Sequence, residues 1–372
     1  MRFFFRKLIC TAVAFALLLS LQFPCSAASK PQNYDVTGKT LDEIITDFMA
    51  EYKLTEKNFS MGWYNTGTGE TWYYNENKFM VAGSMYKLPL CMNYIGKFDD
   101  GSFDPTAKTG GYQLTRLIDL AITYSDNNAA SLLQKYYSPD HDAYRLSLTQ
   151  YSDVDPETLP DGFFRNNEFS PHIILDTLKA LYNDQDYYRQ IVDDMLQAHP
   201  ARYFRKYQGD YEIAHKYGYF EGSLNDCGII YTPTPYLLVA FTDHVYNSEE
   251  ALAVLVQRLT DYSLWLDSEA ERIAAVEAER AAEEAEQARI AAEKAAEQAR
   301  INAAEEAEAK AEAERIAAEE QAAVEALAAA ESALLKKEQN IKLSLLIGIP
   351  ILLIASVLVI RWKKRKHIYS CK

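Results

Sequence analysis

Ser84-Met85-Tyr86-Lys87 is the stretch of sequence on which the fold prediction depends. Residues three apart lie on one face of a helix, so a helix beginning near Ser84 places Lys87 beside the serine hydroxyl. That hydroxyl is a poor nucleophile until a base takes its proton, and a buried lysine of lowered pKa can serve as that base. A serine three residues before a lysine is common by chance, but residues 36–265 contain no second such pair. The stretch therefore predicts a serine nucleophile.

A second group of polar residues, Ser125-Asp126-Asn127, lies between helices predicted at 114–123 and 127–136. The serine hydroxyl could pass a proton to a leaving amine, and the asparagine could hold a substrate amide. All three residue types also suit a helix N-cap, which is the simpler interpretation of this group when it is taken alone.

A third group, His215-Lys216-Tyr217-Gly218, falls on a predicted strand. A cation on a strand can bind a substrate carboxylate, and a glycine two residues later lets a substrate backbone come close. The alternative is an ordinary exposed strand lysine.

The spacing of apolar residues predicts an α/β domain with an antiparallel sheet and a helical insert. Predicted helices cover 42–52, 84–95, 114–123, 127–136, 168–182 and 249–266, and predicted strands cover 59–63, 70–74, 211–216, 228–232 and 237–242. The first two strands are joined by a glycine-rich turn at 65–69, which favours a hairpin.

In this order and context, the three groups resemble the motif set of the class A β-lactamases and their penicillin-binding relatives. The resemblance covers roughly Thr40 to Tyr262. It implies the serine β-lactamase/D,D-peptidase fold, in which terminal helices flank an antiparallel sheet that carries a helical sub-domain.

The resemblance also implies a role for each matching residue. Ser84 corresponds to the acylated nucleophile, Lys87 to the general base and Ser125 to the proton shuttle. The residues that would bind substrate are Asn127, for the substrate amide, Lys216, for its carboxylate, and the adjoining Tyr217 and Gly218. The backbone N–H groups of Ser84 and Tyr219 would form the oxyanion hole. No cofactor and no metal are implied.

Two positions depart from the family pattern. Tyr217 stands where the family has a small hydroxyl residue, which puts carboxylate recognition in doubt. The family's deacylating glutamate, with its following Leu-Asn, has no match, and only Asp155 and Glu157 of the loop 153–160 could replace it. A solvated acidic loop is an equally good interpretation of that segment.

A literal Lys-Thr-Gly triplet at 108–110 is rejected as the family's basic motif. In the family this triplet follows the Ser-Asp-Asn group and lies on a strand, whereas 108–110 precedes that group and is predicted to be a glycine-rich loop.

Both ends of the chain carry targeting signals. Residues 1–28 have a basic start, an apolar stretch and small residues around Cys25, which predicts a signal peptide, with a retained anchor or a lipid-modified Cys25 as alternatives. Residues 343–360 contain no charge and precede a basic tail at 361–372, which predicts one transmembrane helix with a cytoplasmic C-terminus. We expect a single-pass protein of the cell membrane, in a Gram-positive bacterium, with its catalytic domain outside.

Residues 268–340 are rich in Ala and Glu and contain neither Gly nor Pro. This composition predicts a long solvated helix that would hold the domain off the membrane. Large apolar residues are too sparse for a regular heptad seam, so self-association through an alanine seam is the second interpretation.

Charge and cysteine content bear on two further questions, namely the kind of partner and whether the domain contains a disulfide. The net charge of −15 argues against nucleic acid as a partner, although 19 acidic and nine basic residues at 268–340 make most of that charge local. Cys91 and Cys227 are the cysteines of the predicted domain, and two buried free thiols are favoured over a disulfide.

The sequence thus predicts a serine hydrolase that forms an acyl-enzyme on Ser84 with a β-lactam or a D-Ala-D-Ala-like peptidoglycan peptide. β-Lactam hydrolysis is the first interpretation. A D,D-peptidase or esterase that releases β-lactams slowly is the second. A non-catalytic wall-binding or sensor module is an alternative of another class. A protein without catalytic activity would, however, have no need to keep all of Ser84, Lys87, Ser125 and Lys216.

Overall fold

The computed structural model describes residues 33–338, 358, 359, 361 and 362. The predicted signal peptide lies outside these residues, as do all but two residues of the predicted membrane span and all but two of the basic tail. Within the described residues, no helix is both long enough and apolar enough to cross a bilayer. The chain divides into two compact units, one ending at Ala275 and the other beginning at Val276.

Five antiparallel strands form the main sheet of the first unit, in the order β2-β1-β9-β8-β7. These strands are β1 (Phe59–Asn65), β2 (Thr71–Tyr74), β7 (Ile213–Phe220), β8 (Ser223–Ile230) and β9 (Tyr236–Thr242). Every residue of β8 and β9 is buried, because both faces of the sheet are covered. Four short strands lie outside this sheet, namely β3 (Met80–Val81), β4 (Lys108–Thr109), β5 (Tyr112–Gln113) and β6 (Glu168–Phe169); β3 pairs with β6, and β4 with β5.

Terminal helices cover one face of the main sheet. Helix α1 (Leu41–Tyr52) begins at a capping box, in which the Thr40 hydroxyl accepts from the Glu43 N–H while the Glu43 carboxylate accepts from the Thr40 N–H. Its apolar side packs with the first turns of the last helix, α9 (Ser248–Glu338), over the sheet residues Trp63 and Leu238.

The helical sub-domain covers the other face. Its helices are α2 (Lys87–Asp99), α3 (Leu114–Thr123), α4 (Asn127–Tyr137), α5 (His141–Ser147), α6 (Asp161–Arg165), α7 (Pro171–Asn183) and α8 (Arg189–Leu196). Helices α2, α3, α7 and α8 bury their apolar sides in one core with Cys227, Val239 and Phe241 of the sheet. The predicted α/β architecture with terminal helices and a helical sub-domain is confirmed.

Several boundaries differ from the prediction. Strand β8 begins at Ser223 rather than at residue 228, because Glu221 (φ 44°) and Gly222 (φ 93°) form a tight turn directly after β7. Residues 108–110 were predicted to be a loop, but Lys108–Thr109 pairs with Tyr112–Gln113 around two glycines that both have positive φ. The glycines that suggested a loop instead make the turn of a small hairpin.

The last helix was predicted as two segments, 249–266 and 268–340, but α9 runs from Ser248 to Glu338. Nothing between the two segments breaks a helix, since the sequence there lacks Gly and Pro. In the second unit the side chains described up to residue 333 are exposed, except for the half-buried Ile316 and Glu320. Arginines there pair with acids three or four residues away. Arg289, for example, contacts Glu286 at 2.6 Å and Glu293 at 2.7 Å.

Candidate active site

Ser84 lies in a 3-10 turn, Gly83–Tyr86, between strand β3 and helix α2. The turn is possible because Gly83 has a φ of +58°, which a residue with a side chain rarely adopts. Lys87 is the first residue of α2 and is fully buried, whereas Ser84 remains partly exposed. A partly exposed hydroxyl and a buried amine thus lie three residues apart at the start of α2.

The Ser84 turn is pressed against strand β7. A Cβ atom added at Gly218 would lie 2.0 Å from the carbonyl oxygen of Ala82 and 2.8 Å from the backbone nitrogen of Ser84. A Cβ added at Gly83 would lie 2.6 Å from the backbone nitrogen of Tyr219. Only glycine at both positions allows this approach, which brings together the two segments that carry the predicted oxyanion-hole N–H groups.

Ser125 links the two lysines of the site. Its hydroxyl accepts hydrogen bonds from Lys216 Nζ at 2.9 Å and from Lys87 Nζ at 3.4 Å. Lys87 Nζ also donates to the carbonyl oxygen of Ser125 at 2.6 Å and to Oδ1 of Asn127 at 2.7 Å. The structure thus brings Lys87 and Lys216, from distant parts of the sequence, into one hydrogen-bond network with Ser125 and Asn127.

The cap of helix α4 is supplied by Asp126, whose carboxylate accepts from the N–H of Ala129 at 2.7 Å. Ser125, which has a φ of +55°, does not cap this helix. The N-cap interpretation of the Ser-Asp-Asn group therefore applies to Asp126 alone, and the Ser125 hydroxyl is available to the lysines.

Within the described residues, no hydrogen bond joins Lys87 Nζ to the Ser84 hydroxyl. The amine is instead directed at Ser125 and Asn127. Catalytic hydrogen bonds are often long or poorly aligned before substrate binds. Proton transfer from Ser84 to Lys87 would therefore require the two side chains to come into hydrogen-bond contact when substrate binds.

Burial controls the protonation of both lysines. It lowers the pKa of Lys87 to about 8. It also lowers the pKa of Lys216 to about 7, with a further contribution from the nearby positive charge of Lys87. Near neutral pH the pair therefore holds fewer protons than two exposed lysines would, and Lys216, whose pKa is the lower, is the first of the two to lose its proton.

Two free thiols, Cys91 and Cys227, are buried in the core between the sheet and the helical sub-domain, as predicted. Burial raises the pKa of each thiol, so both remain protonated. Cys227 Sγ lies 3.4 Å from the carbonyl oxygen of Lys216. Neither thiol therefore supplies a negative charge that could balance Lys87 or Lys216.

Tyr217, the residue that departs from the family triplet, packs its ring against Tyr203 at a centroid distance of 4.8 Å. The Lys216 amine lies 4.5 Å from the Tyr217 ring centroid and donates to the Tyr217 carbonyl oxygen at 2.9 Å. The aromatic ring thus contacts the lysine cation where the family has a hydroxyl.

Asp155 and Glu157 are not brought to the site by any contact within the described residues. Both are exposed, and the Asp155 carboxylate caps the 3-10 turn Pro156–Thr158 by accepting from the Glu157 N–H at 3.0 Å. Lys108, the lysine of the rejected triplet, is exposed on β4.

Two asparagines that the sequence analysis did not single out support the Ser84 turn. Asn225, fully buried on β8, donates to the Val81 carbonyl at 2.7 Å and accepts from the Thr242 N–H at 2.8 Å. Asn167 donates to the Gly83 carbonyl at 2.7 Å. Strand β8 also contains Ser223 and Asp226, so a polar residue at position 225 gave no signal of this role.

One group of described side chains, Asp153, His172 and Asp176, has ligand atoms close enough to hold a metal ion. His172 Nε2 already lies 2.7 Å from Asp153 Oδ1 and 3.0 Å from Asp176 Oδ2. An imidazole between two carboxylates accounts for these contacts, and none of the three contacts the Ser84 network.

Comparison with known proteins places this geometry in a family. The model of the beta-lactamase enzyme family matches residues 40–262, while no curated protein matches the chain. Similar solved structures include an ancestral (GNCA) class A β-lactamase, with 18% identity and a TM-score of 0.52 over 60% of this chain and 100% of that one. A β-lactamase from Chitinophaga pinensis has 17% identity and a TM-score of 0.51 over 60% of this chain and 98% of that one.

At this identity the solved structures show the fold alone. The family model, by contrast, covers more than half of the chain, and its limits coincide with the sheet and the helices that surround Ser84. The chain therefore belongs to the beta-lactamase enzyme family, a family of serine hydrolases.

Proposed function

We propose that the domain forms an acyl-enzyme on Ser84 with a β-lactam or a D-Ala-D-Ala-like peptide. The observation that supports this proposal is the network of Lys87, Ser125 and Lys216 beside a partly exposed serine. It combines a nucleophile, an amine of lowered pKa, a hydroxyl between two amines and a cation that could bind a carboxylate.

In the proposed acylation, Ser84 Oγ attacks the substrate carbonyl carbon while neutral Lys87 takes the hydroxyl proton. The oxyanion is held by the backbone N–H groups of Ser84 and Tyr219. As the C–N bond breaks, Ser125 gives its proton to the leaving nitrogen and regains one from Lys87, 3.4 Å away. Lys87 thus ends neutral, and the serine ester is formed.

The first prediction concerns release of the acyl group, which requires a water held and deprotonated beside the ester. The carboxylates considered for this step, Asp155 and Glu157, are exposed and do not contact the network. A misplacement of about 1 Å can cost about 100-fold in rate. We therefore expect labelled penicillin to give a burst of about one product per enzyme, followed by a much slower steady rate.

The matched variants are Asp155→Asn and Glu157→Gln. If neither carboxylate works on the acyl-enzyme, each variant changes the rate of label loss by no more than a few-fold. Brisk hydrolysis without a burst, lost in either variant, would instead identify a true β-lactamase with an unusual loop and would reject slow release.

The second prediction concerns the pH dependence of acylation. Lys87 acts as a base only when neutral, so its contribution rises as pH increases through its pKa of about 8. Lys216 binds a carboxylate only when charged, so its contribution falls as pH increases through its pKa of about 7. Because the pKa of Lys87 lies above that of Lys216, neutral Lys87 and charged Lys216 coexist only in a minor fraction of the molecules. The second-order acylation rate constant should therefore follow a narrow bell-shaped curve with its maximum between these values.

Lys216→Arg supplies the control, because a guanidinium stays charged throughout. In this variant the alkaline fall should disappear while the acidic limb remains. A wild-type rate constant that does not vary between about pH 5 and pH 10 would contradict the assignment of both lysines.

A further inference from the structure

Asn167 connects the segment before β6 to the residue that precedes Ser84. The side-chain Nδ2 of Asn167 donates to the Gly83 carbonyl oxygen at 2.7 Å. The main-chain carbonyl oxygen of Asn167 accepts from the Ala82 N–H at 2.9 Å. Asn167 has a φ of +56°, a conformation that asparagine tolerates better than most residues. The backbone on the N-terminal side of the nucleophile is thus held twice by one residue.

A buried cation holds the other side of the Asn167 amide. Arg145 Nη1 donates to Asn167 Oδ1 at 3.1 Å, and Arg145 Nε donates to the Phe163 carbonyl at 2.8 Å. The guanidinium lies over the rings of Phe163 and Phe169, at 4.5 and 4.8 Å from their centroids. A guanidinium can only donate and a carbonyl can only accept, so these partners determine which way the amide faces.

The Gly83 carbonyl and the Ser84 N–H are the two ends of one peptide group. A hydrogen bond donated to the carbonyl polarises that group and makes its N–H a stronger donor. Two hydrogen bonds therefore connect the Arg145 guanidinium, through the Asn167 side-chain amide, to the peptide group that carries the Ser84 N–H. Asn225 differs, because the Val81 carbonyl that it holds belongs to the Val81–Ala82 peptide.

We propose that Asn167 is a positioning residue that orients and polarises the Gly83–Ser84 peptide as an oxyanion-hole donor. This role rests on the proposed acylation of Ser84. Asn167 would act on the oxyanion hole and not on proton transfer, since its side-chain amide contacts Arg145 and Gly83 and neither Lys87 nor Lys216.

The first arm of the test reads the peptide group itself, in the full chain and without substrate. The sequence contains three Gly-Ser pairs, 83–84, 101–102 and 222–223. Protein carrying carbonyl-¹³C glycine and ¹⁵N serine should therefore give three carbonyl–nitrogen correlation signals. In Asn167→Asp, which replaces the NH₂ donor with an acceptor, the 83–84 signal should move upfield in both dimensions, while the 101–102 signal stays in place.

Asn167→Gly is the second variant. Glycine accepts the positive φ, so it removes the amide while leaving the backbone unstrained, and it should shift the same signal in the same direction. Asn166→Asp, the same chemical change at an exposed neighbouring residue, should leave the 83–84 signal unmoved.

The second arm measures acylation by labelled penicillin. Removal of a whole oxyanion-hole donor costs about 10²–10³-fold, so weakening one of two donors should slow acylation about 10-fold. The ester carbonyl stretch of the acyl-enzyme should move to higher frequency in both Asn167 variants, a change that a loss of stability alone would not produce.

An unmoved 83–84 signal in Asn167→Asp and Asn167→Gly overturns the inference, whatever the acylation rate. A moved signal with an unchanged acylation rate and an unchanged ester frequency also overturns it. Failure of the wild-type chain to be labelled at all would reject the acylation proposal and, with it, the role of Asn167 in that reaction.

Discussion

Replacing Ser84 with alanine should abolish covalent labelling of the full chain by a labelled penicillin. The methyl group cannot attack the β-lactam carbonyl, and the Ser125 hydroxyl, which contacts both Lys87 and Lys216, is assigned to proton transfer and not to attack. Labelling should be followed on denaturing gels, and the adduct should be located by mass spectrometry of the proteolytic peptides.

Ser102→Ala is the matched control for this change. Ser102 also follows a glycine but is exposed in the connection after helix α2, and its replacement should leave labelling intact. An adduct located on any other residue, or labelling of the Ser84→Ala chain at the wild-type rate, would show that the nucleophile has been misassigned.

Replacing Lys87 with alanine should reduce the acylation rate by about 10²–10⁴-fold, the range for loss of a general base. The change also removes the donor that holds the Ser125 carbonyl and the Asn127 amide, so part of the loss would come from a displaced Ser125. Rapid mixing with labelled penicillin measures the rate directly.

Lys87→Arg separates these two effects. Arginine keeps a cation that can hydrogen-bond to Ser125 but cannot be deprotonated, so a base role predicts slow acylation in this variant as well. Acylation at the wild-type rate in Lys87→Arg would mean that the cation only organises the site. Lys108→Ala, which removes an exposed lysine on β4, should have almost no effect.

Local sequence pattern was sufficient for much of the fold. Helix α3 was predicted at 114–123 and occupies those residues, because its apolar positions recur on one face. The prediction was least accurate where turn chemistry decides the structure. The glycines at 110 and 111 close a hairpin, and the turn at residues 221 and 222 lengthens β8 toward its N-terminus.

The chemical groups of the site were visible in the sequence because their residue types and order are characteristic. Their supports were not visible. Asn167 lies 84 residues from Gly83, and Asn225 lies 144 residues from Val81, so these contacts exist only after the sheet and the helical sub-domain have packed. For the same reason, the sequence could not show that the Lys87 amine faces Ser125 and Asn127 rather than Ser84.

The position of β9 between β1 and β8 has a consequence for how the domain is made. Strand β1 can pair with β2 as soon as both have been made, but its other edge has no partner in the sheet until residues 236–242 have been produced. Pairing between such distant segments slows folding, and unpaired strand edges invite association with other chains. A nascent chain that has emerged only to residue 235 carries two such edges, on β1 and β8. The risk of aggregation should therefore grow with the time that passes before β9 inserts between the β1–β2 and β7–β8 hairpins and completes the sheet.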